Sequence, residues 1–378
     1  MPAGHWTVLA INGGTFYGPR LDVGGSPSSV AVDSRDGRVF VGDTSSDAID
    51  IVGAANFTEI DQVNLSSHPT SLAVDAAVDR LYVALPATDN ISVLNASSGA
   101  FVTNISLPWS PTSIAVAPNA SLLFAASSSA NDVAEIAVGN DTVQTTAPVG
   151  SEPRGVAYDP SLHQLWVANV GSWNLSVLDV PNLTLARTVP LDFPPSAMLF
   201  DPVQNETLVG SILTHRLGFY SAINGTEVAN VTLPAQNYGA IAFDPSASEA
   251  FVSIGDSNVA VVSTATDALL TNSPSSSSLA GLAYDPTTGY VVAALTGSGD
   301  IARVSPAVFA SAPLRIEPSL LAPGPLESGL SGSVSATGFG ANSTVARFTR
   351  GRHPGSVHVG DGRLVRRRDA RDRRQRLA

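Results

Sequence analysis

The chain has 378 residues, of which 44% are hydrophobic and 14% charged, so it can bury a sizeable core and is not disordered throughout. It contains no Cys, which excludes disulfides and thiolate ligands, and it contains no apolar run long enough to span a membrane. The net charge is −12, and residues 1–345 carry nine Arg against 29 Asp and Glu, an acidic body that disfavours nucleic acid.

A short phrase recurs along the chain: Pro, two further residues, an apolar residue, Ala, an apolar residue and Asp. Its first copy is residues 27–33, and its last position recurs at 33, 75, 117, 159, 201, 244 and 285. The steps are 42, 42, 42, 42, 43 and 41 residues, although the sixth and seventh copies lack the Pro. A constant period of this length indicates a repeat architecture.

Each repeat predicts four short strands. In the second repeat these are residues 71–74, 80–84, 90–94 and 100–107, rich in β-branched and aromatic residues and bounded by Gly, Pro, Asn, Asp and Ser. No segment keeps the helical period for more than about one turn. Four strands in one repeat form a blade of a β-propeller, and the small Ala of the phrase is expected to make room near the axis.

The length of strand-like sequence sets the number of blades. It runs from residue 6 to residue 304, which matches seven repeats. Segments 6–11 and 18–23 match the third and fourth strands of a repeat. Segment 277–304 supplies the first two strands, and its residues 300–304 are an alternative candidate for the third strand. We therefore predict an all-β, seven-bladed propeller over residues 1–305, closed by N-terminal strands. The sequence does not decide whether residues 6–11 or residues 300–304 form the third strand of the closing blade.

The C-terminal region differs from the repeats. Residues 306–345 are predicted to be a linker and the start of an immunoglobulin-like β module, too short for the seven strands of a complete sandwich. Residues 346–378 carry eleven Arg and three Asp. This tail has the composition of a nucleic-acid or targeting patch. The abrupt change in composition favours instead an out-of-frame or wrongly assigned C-terminus, which we expect to be disordered.

The second and third strands of the repeats resemble a known family. Residues 165–179, LWVANVGSWNLSVLD, are similar to the repeat of YVTN-type β-propellers, as are residues 81–84 and 90–94. The resemblance covers residues 6–304. It implies a propeller from the group that includes surface-layer and other exported proteins of archaea and bacteria, most of which have no assigned chemistry.

No constellation of residues indicates catalysis. The six His lie in no metal-ligand spacing, and there is no GxSxG elbow and no GxGxxG motif. Residues 33–37 faintly resemble a calcium loop but lack its alternating oxygens and its final Glu. The recurrent Asp is explained by turns, in which Asp accepts a hydrogen bond from nearby backbone. We therefore predict no catalytic, cofactor or metal residues.

Acceptor sequences for N-glycosylation are unusually dense. Thirteen of the 19 Asn stand in Asn-X-Ser/Thr, most of them in predicted turns. Asn-Ser turns also suit hairpins by themselves, but we favour real acceptors. The candidates are Asn56, Asn64, Asn90, Asn95, Asn104, Asn119, Asn140, Asn174, Asn182, Asn205, Asn224, Asn230 and Asn342.

These observations favour a non-enzymatic scaffold, extracellular or on the cell surface, that binds a protein or glycan at one end of a monomeric ring. Residues 1–6 show no signal peptide, so we expect a truncated N-terminus. Two alternatives are a metal-dependent sugar-lactone hydrolase of the regucalcin and gluconolactonase type and a binding subunit of a quinoprotein-type dehydrogenase. Three or more acidic or amide oxygens converging at the wide end of the channel would favour the enzyme.

Overall fold

The computed structural model describes residues 17–255, 257–274, 277–304, 348–350 and 357–359. Within residues 17–304 it has twenty-eight strands in seven antiparallel sheets of four. The predicted all-β, seven-bladed propeller is therefore confirmed. Among the described residues, no helix has the length and apolar character needed to cross a membrane.

The first described strand, β1 (Tyr17–Asp22), belongs to the last blade, and blades 1 to 3 follow it in chain order. Blade 1 comprises β2 (Pro27–Asp33), β3 (Arg38–Asp43), β4 (Ala48–Gly53) and β5 (Thr58–Asn64). Blade 2 comprises β6 (Ser71–Asp75), β7 (Arg80–Leu85), β8 (Asn90–Asn95) and β9 (Phe101–Ser106). Blade 3 comprises β10 (Ser113–Ala117), β11 (Leu122–Ser127), β12 (Asp132–Ala137) and β13 (Thr142–Pro148).

Blades 4 to 7 repeat the same order of strands. Blade 4 comprises β14 (Pro153–Asp159), β15 (Gln164–Asn169), β16 (Asn174–Asp179) and β17 (Thr184–Pro190). Blade 5 comprises β18 (Pro195–Asp201), β19 (Glu206–Ser211), β20 (Arg216–Ser221) and β21 (Glu227–Thr232). Blade 6 comprises β22 (Asn237–Asp244), β23 (Glu249–Ile254), β24 (Asn258–Ser263) and β25 (Ala268–Pro274). Blade 7 comprises β26 (Leu279–Asp285), β27 (Tyr290–Leu295), β28 (Asp300–Val304) and β1.

The ring is closed by a strand from each end of the repeat region. The N-terminal β1 pairs antiparallel with β28, with Leu21 opposite Ile301. The hydroxyl of Thr296 donates a hydrogen bond to the carbonyl of Pro27 at 2.8 Å, joining blades 7 and 1. The structure thus answers the question that the repeat pattern left open: residues 300–304 form the third strand of the last blade. Residues 6–11, the other candidate, lie outside the described residues.

The hydrophobic core is divided among the gaps between blades. Seven clusters of buried apolar residues occur, and each joins two neighbouring blades. In one of them Tyr82 and Ile91 of blade 2 pack with Leu123 and Ile136 of blade 3, all at most 2% exposed. Because the faces of a blade are covered by its neighbours, the second and third strands are almost entirely buried, as in β3 and β4, whereas outermost strands such as β5 are exposed. A blade therefore depends on stacking for its stability.

The first strands of the blades surround the axis. Each contacts the first strand of both neighbours, so the seven form a complete ring. Two glycines at the third position of the phrase lie close to the backbone of a neighbouring first strand. A Cβ at Gly281 would lie 3.0 Å from the Cα of Ser29, and one at Gly155 would lie 2.9 Å from the carbonyl of Ser196. Small residues are therefore required at the third position as well as at the Ala singled out from the sequence.

The described residues of the C-terminal region form one short pair of strands. β29 (Phe348–Arg350) pairs antiparallel with β30 (Val357–Val359), with Phe348 opposite Val359. These six residues lie in the Arg-rich tail, which we expected to be disordered. The predicted linker and immunoglobulin-like module at 306–345, and the rest of the tail, lie outside the described residues.

Candidate functional site

A cavity of about 330 Å³ lies on the axis, lined by the first strands of all seven blades. Its lining comes from three consecutive positions of the repeated phrase. The second position contributes Ser28, Thr70, Thr112, Arg154, Ser196, Gly239 and Ala280. The third position contributes Ser29, Ser71, Ser113, Gly155, Ala197, Ala240 and Gly281. The fourth position contributes Val30, Leu72, Val156, Met198, Ile241 and Leu282.

A β-bulge sets the side chains of the second position apart from the sheet. In blade 4, Pro153 pairs with Asn169 and Gly155 with Ala168, which leaves Arg154 without a partner on the neighbouring strand. The same register shift follows the first residue of the phrase in blades 1 and 7. A bulge re-aims the extra residue away from the ladder. The bulge thus accounts for the second-position residues of these blades, whereas the first strands of blades 2 and 3 pair without a register shift.

Hydroxyl groups supply most of the polar side chains of the lining, and several are already bonded to neighbouring backbone. The hydroxyls of Ser28 and Ser196 donate to the carbonyls of the second strands at 3.1 Å. Ser71 accepts a hydrogen bond from the backbone N–H of Ile114 at 3.2 Å, which ties blade 2 to blade 3. The hydroxyl of Ser29 is buried and has no partner among the described residues.

Arg154 is the one charged residue among the described residues that line the cavity. Its side chain is exposed and makes no ion pair or hydrogen bond within the described part of the chain. The sequence contained a signal for it: Arg stands at a phrase position that otherwise holds Ser, Thr, Gly or Ala. Single motifs do not reveal this residue, because its exceptional position is visible only when the seven repeats are aligned by position.

The lining does not have the composition of a metal-dependent hydrolytic site. Of the described residues around the cavity, none is an acid, an amide or a His. These residues therefore do not provide the three converging acidic or amide oxygens that would have favoured the lactone hydrolase. The cavity can offer a ligand hydrogen bonds from hydroxyl groups, one guanidinium, and the aliphatic side chains of the fourth position.

The recurrent Asp residues lie at the other end of the first strands, in the turns to the second strands. Each is at most 4% exposed and accepts a hydrogen bond from the backbone N–H two residues later, at 2.7–3.0 Å. This is the turn that the sequence predicted. The residues are Asp33, Asp75, Asp159, Asp201, Asp244 and Asp285.

One acidic cluster outside the cavity brings Asp33, Asp36 and Asp79 together, with ligand atoms within 4.8 Å of one another. The guanidinium of Arg35 bonds two of them, Asp36 at 3.1 Å and Asp79 at 2.8 Å. Burial alone would raise the pKa of Asp79, but hydrogen bonds from Ser97 and other neighbours and the charge of Arg35 lower it. The cluster is thus an ion-pair network between the turns of blades 1 and 2, with Arg35 as its countercharge.

The His residues do not assemble with other ligands. His68, His163 and His215 are exposed, and the ring of His163 bonds the hydroxyl of Tyr158 at 3.0 Å. His358 lies in β30, while His5 and His353 lie outside the described residues. None of the three propeller His lines the cavity.

The glycosylation candidates are divided between turns and strands. Exposed side chains are found at Asn56, Asn64, Asn104, Asn119, Asn140, Asn182, Asn224 and Asn230. Half-buried side chains are found at Asn90, Asn95, Asn174 and Asn205, and Asn342 lies outside the described residues. Six of the described candidates lie within strands or at their ends rather than in turns, namely Asn64, Asn90, Asn95, Asn104, Asn174 and Asn230. The other six described candidates lie in turns or in a short 3-10 helix, so the structure divides them evenly between strands and connections.

Comparison with known proteins identifies a fold. No family model matches the chain, and no curated protein matches it. The chain is similar to a chain of Kuenenia stuttgartiensis hydrazine synthase, with a TM-score of 0.67 and 16% identity over 75% of this chain and 96% of that chain. In all, 1820 chains of solved structures match, which marks a common architecture. The propeller is thus supported, the YVTN-type family is not confirmed, and the fold alone does not decide function.

Proposed function

We propose that the protein is a non-enzymatic, extracellular or cell-surface β-propeller scaffold that binds a protein or glycan partner at the end of the ring where the axial cavity lies. The observation that carries this proposal is the lining of that cavity. It consists of hydroxyl, small and aliphatic side chains with one guanidinium. Such a surface suits recognition, whereas acid–base or metal-assisted hydrolysis calls for titratable or ligating groups at the reacting centre.

The loops at this end provide the contact surface. They include the turns after the second strands, whose last residues pair with the starts of the first strands. Two of these turns carry exposed apolar side chains, Trp173 at 46% and Leu213 at 59% exposed. Aromatic and aliphatic side chains displayed on a rigid scaffold are typical anchors of a binding surface.

An extracellular setting is supported by composition. Thirteen acceptor sequences, the absence of Lys and the absence of Cys suit a protein exposed to solvent outside the cell. The outermost strands of the blades contribute exposed acceptors such as Asn104 and Asn230. The partner assignment and the monomeric state are parts of the same proposal.

A second candidate is a propeller subunit within a larger enzyme. The likeness to a chain of hydrazine synthase favours it, since that chain is matched over 96% of its length. The shared identity of 16% carries the fold and no residue of a site. The quinoprotein-type binding subunit considered from the sequence would be such a subunit, whereas the sugar-lactone hydrolase is a separate enzymatic alternative, and the likeness singles out neither.

The proposal is tested on the purified propeller with a glycan array and with intact cells. We expect Trp173→Ser and Leu213→Ser to weaken binding, because they remove apolar anchors at the cavity end. Leu185→Ser is the matched control, since Leu185 is 52% exposed but lies on an outermost strand. Equal loss in all three variants would contradict the assigned face.

The enzymatic alternative is tested directly. Purified protein supplied with calcium or zinc should not hydrolyse sugar lactones. Turnover that a chelator abolishes would overturn the scaffold proposal in favour of the lactone hydrolase.

A further inference from the structure

Arg154 is a cation for which the described chain supplies no counter-ion. Its guanidinium carries a positive charge and belongs to the same second-position row of the cavity as hydroxyl and small residues. By contrast, the half-buried Arg216 is held by carboxylates, with Asp192 at 2.8 Å and Glu227 beside it. In a body with 29 acidic residues against nine Arg, a guanidinium without a carboxylate is available to an external anion.

The position of Arg154 comes from the backbone. The β-bulge between Pro153 and Gly155 takes Arg154 out of the strand ladder. The four other first strands with a register shift have it at the same end of the phrase or within the same strand, but they place small residues at the second position. One arginine thus makes a seven-fold repeated cavity asymmetric, which gives a ligand a single preferred orientation.

Hydroxyl groups line the cavity at the second and third positions of the phrase, as Arg154 does at the second. Thr70 and Ser113 line the same cavity, and their hydroxyls make no hydrogen bond within the described residues. A guanidinium offers two parallel N–H donors that match the two oxygens of a carboxylate, and hydroxyls can share the remaining lone pairs.

The fourth position supplies apolar side chains that are mostly half-buried, because they also pack against the cores between blades. Fourth-position side chains such as Leu72, Met198 and Ile241 follow the polar rows by one or two residues along each strand. The volume of about 330 Å³ is of the size that holds a small molecule. A ligand that satisfies both the polar and the apolar positions carries an anionic head and a short hydrocarbon chain.

We propose that the axial cavity binds a small organic carboxylate with a short aliphatic chain, its carboxylate on Arg154 and its chain against the fourth-position side chains. This proposal rests on the proposed function, because it names the ligand class of a binding scaffold. The carboxylate would bind in the cavity, whereas the macromolecular partner would contact Trp173 and Leu213, so the two kinds of binding can be tested separately.

The proposal is tested by calorimetry on the full chain with isocaproate as the probe. Isocaproamide is the neutral isostere, and inorganic phosphate and sulfate are anions without a chain. We expect isocaproate to bind and the amide not to bind. Arg154→Ser should weaken binding by at least about tenfold, and Arg154→Lys should weaken it less, because Lys keeps the charge but lacks the fork.

Matched variants separate recognition from folding. Ser stands at the equivalent position of blades 1 and 5, so Arg154→Ser replaces one side chain by another that the same bulge already accepts. Arg38→Ser removes a cation from β3, outside the cavity, and should leave binding unchanged. Met198→Gln keeps length but adds polarity, so it should weaken isocaproate more than acetate.

Three results would overturn the proposal. These are the absence of isocaproate binding at millimolar concentration, binding that Arg154→Ser does not change, and phosphate binding as tight as that of isocaproate. If any of these were found while Trp173→Ser still reduced binding to the glycan array or to cells, the ligand class would be wrong and the scaffold function would stand. If both binding assays failed, the proposed function itself would fall.

Discussion

The guanidinium carbon of Arg303 in blade 7 lies 4.6 Å from the centre of the Phe57 ring in blade 1. The same guanidinium lies 5.1 Å from the ring centre of Tyr290, so it is held between two aromatic side chains. Arg303 is 8% exposed. A cation–π contact of this kind gains strength when it is desolvated, and here it spans the joint at which the two ends of the repeat region meet.

Phe57→Leu should therefore destabilise the propeller, because it removes the aromatic face while keeping an apolar side chain. We expect a loss of about 1–2 kcal/mol in the free energy of unfolding, measured by urea titration. A double-mutant cycle with Arg303→Met isolates the pair and should give a coupling of about 0.5–2 kcal/mol. Additive effects of the two changes would show that the contact contributes nothing to closure.

The stability of the protein should depend on pH through Glu249. Burial, with a smaller contribution from the charge of Asp244, raises the pKa of Glu249 to about 7 in the folded protein. Its Oε2 is buried without a partner among the described residues. The folded state thus favours the protonated acid, so its contribution to stability is fully present below the unfolded pKa of about 4.5 and is lost as the pH rises through 7.

Glu249→Gln tests this pH dependence, since the amide stays neutral at every pH. It should raise the free energy of unfolding by about 1–3 kcal/mol near pH 8 and change it little near pH 4. Urea titrations of both proteins at the two pH values provide the measurement. An equal gain at both would assign the effect to packing instead of to ionisation.

The ring of inner strands should be sensitive to a single methyl group at Gly281. An added Cβ would lie 3.0 Å from both the Cα of Ser29 and the N of Val30, which are backbone atoms of the neighbouring blade. We expect Gly281→Ala to cost about 1–3 kcal/mol in unfolding free energy. Gly139→Ala is the matched control, because a Cβ at Gly139 meets nothing within 4 Å. A control as damaging as the test variant would refute the argument from close approach.

Side-chain hydrogen bonds should select among the glycosylation candidates. The amide of Asn95 donates to Asp79 at 2.7 Å, and its oxygen accepts from the N–H of Ser98 at 2.8 Å. Asn104 is exposed on an outermost strand. In a host that glycosylates Asn, mass spectrometry should find glycan on Asn104 and none on Asn95. Equal occupancy of the two sites would contradict this selection.

The four-stranded repeat and the number of blades could be read from the sequence because they depend on local patterns. The phrase ending at Asp75 recurs every 42 residues or nearly so, and its Asp closes a turn within the same repeat. Strand and turn signals of this kind involve residues close in the chain, so their physical cause is contained in each repeat. The ring then follows, because a blade with two apolar faces needs a neighbour on each side.

The candidate site could not be predicted from the sequence in the same way, because it is made of contacts between residues far apart in the chain. The third strand of the last blade was decided by the pairing of Leu21 with Ile301, which lie at opposite ends of the repeat region. The role of Arg154 could be inferred only once the seven first strands were seen to surround one cavity whose described lining contains no acidic residue. The sequence by itself determined the repeated unit, since hydrogen bonds and side-chain alternation within a blade are local. Only the tertiary structure decided which residues line the channel, because closing the ring brings the first strands of all seven blades together.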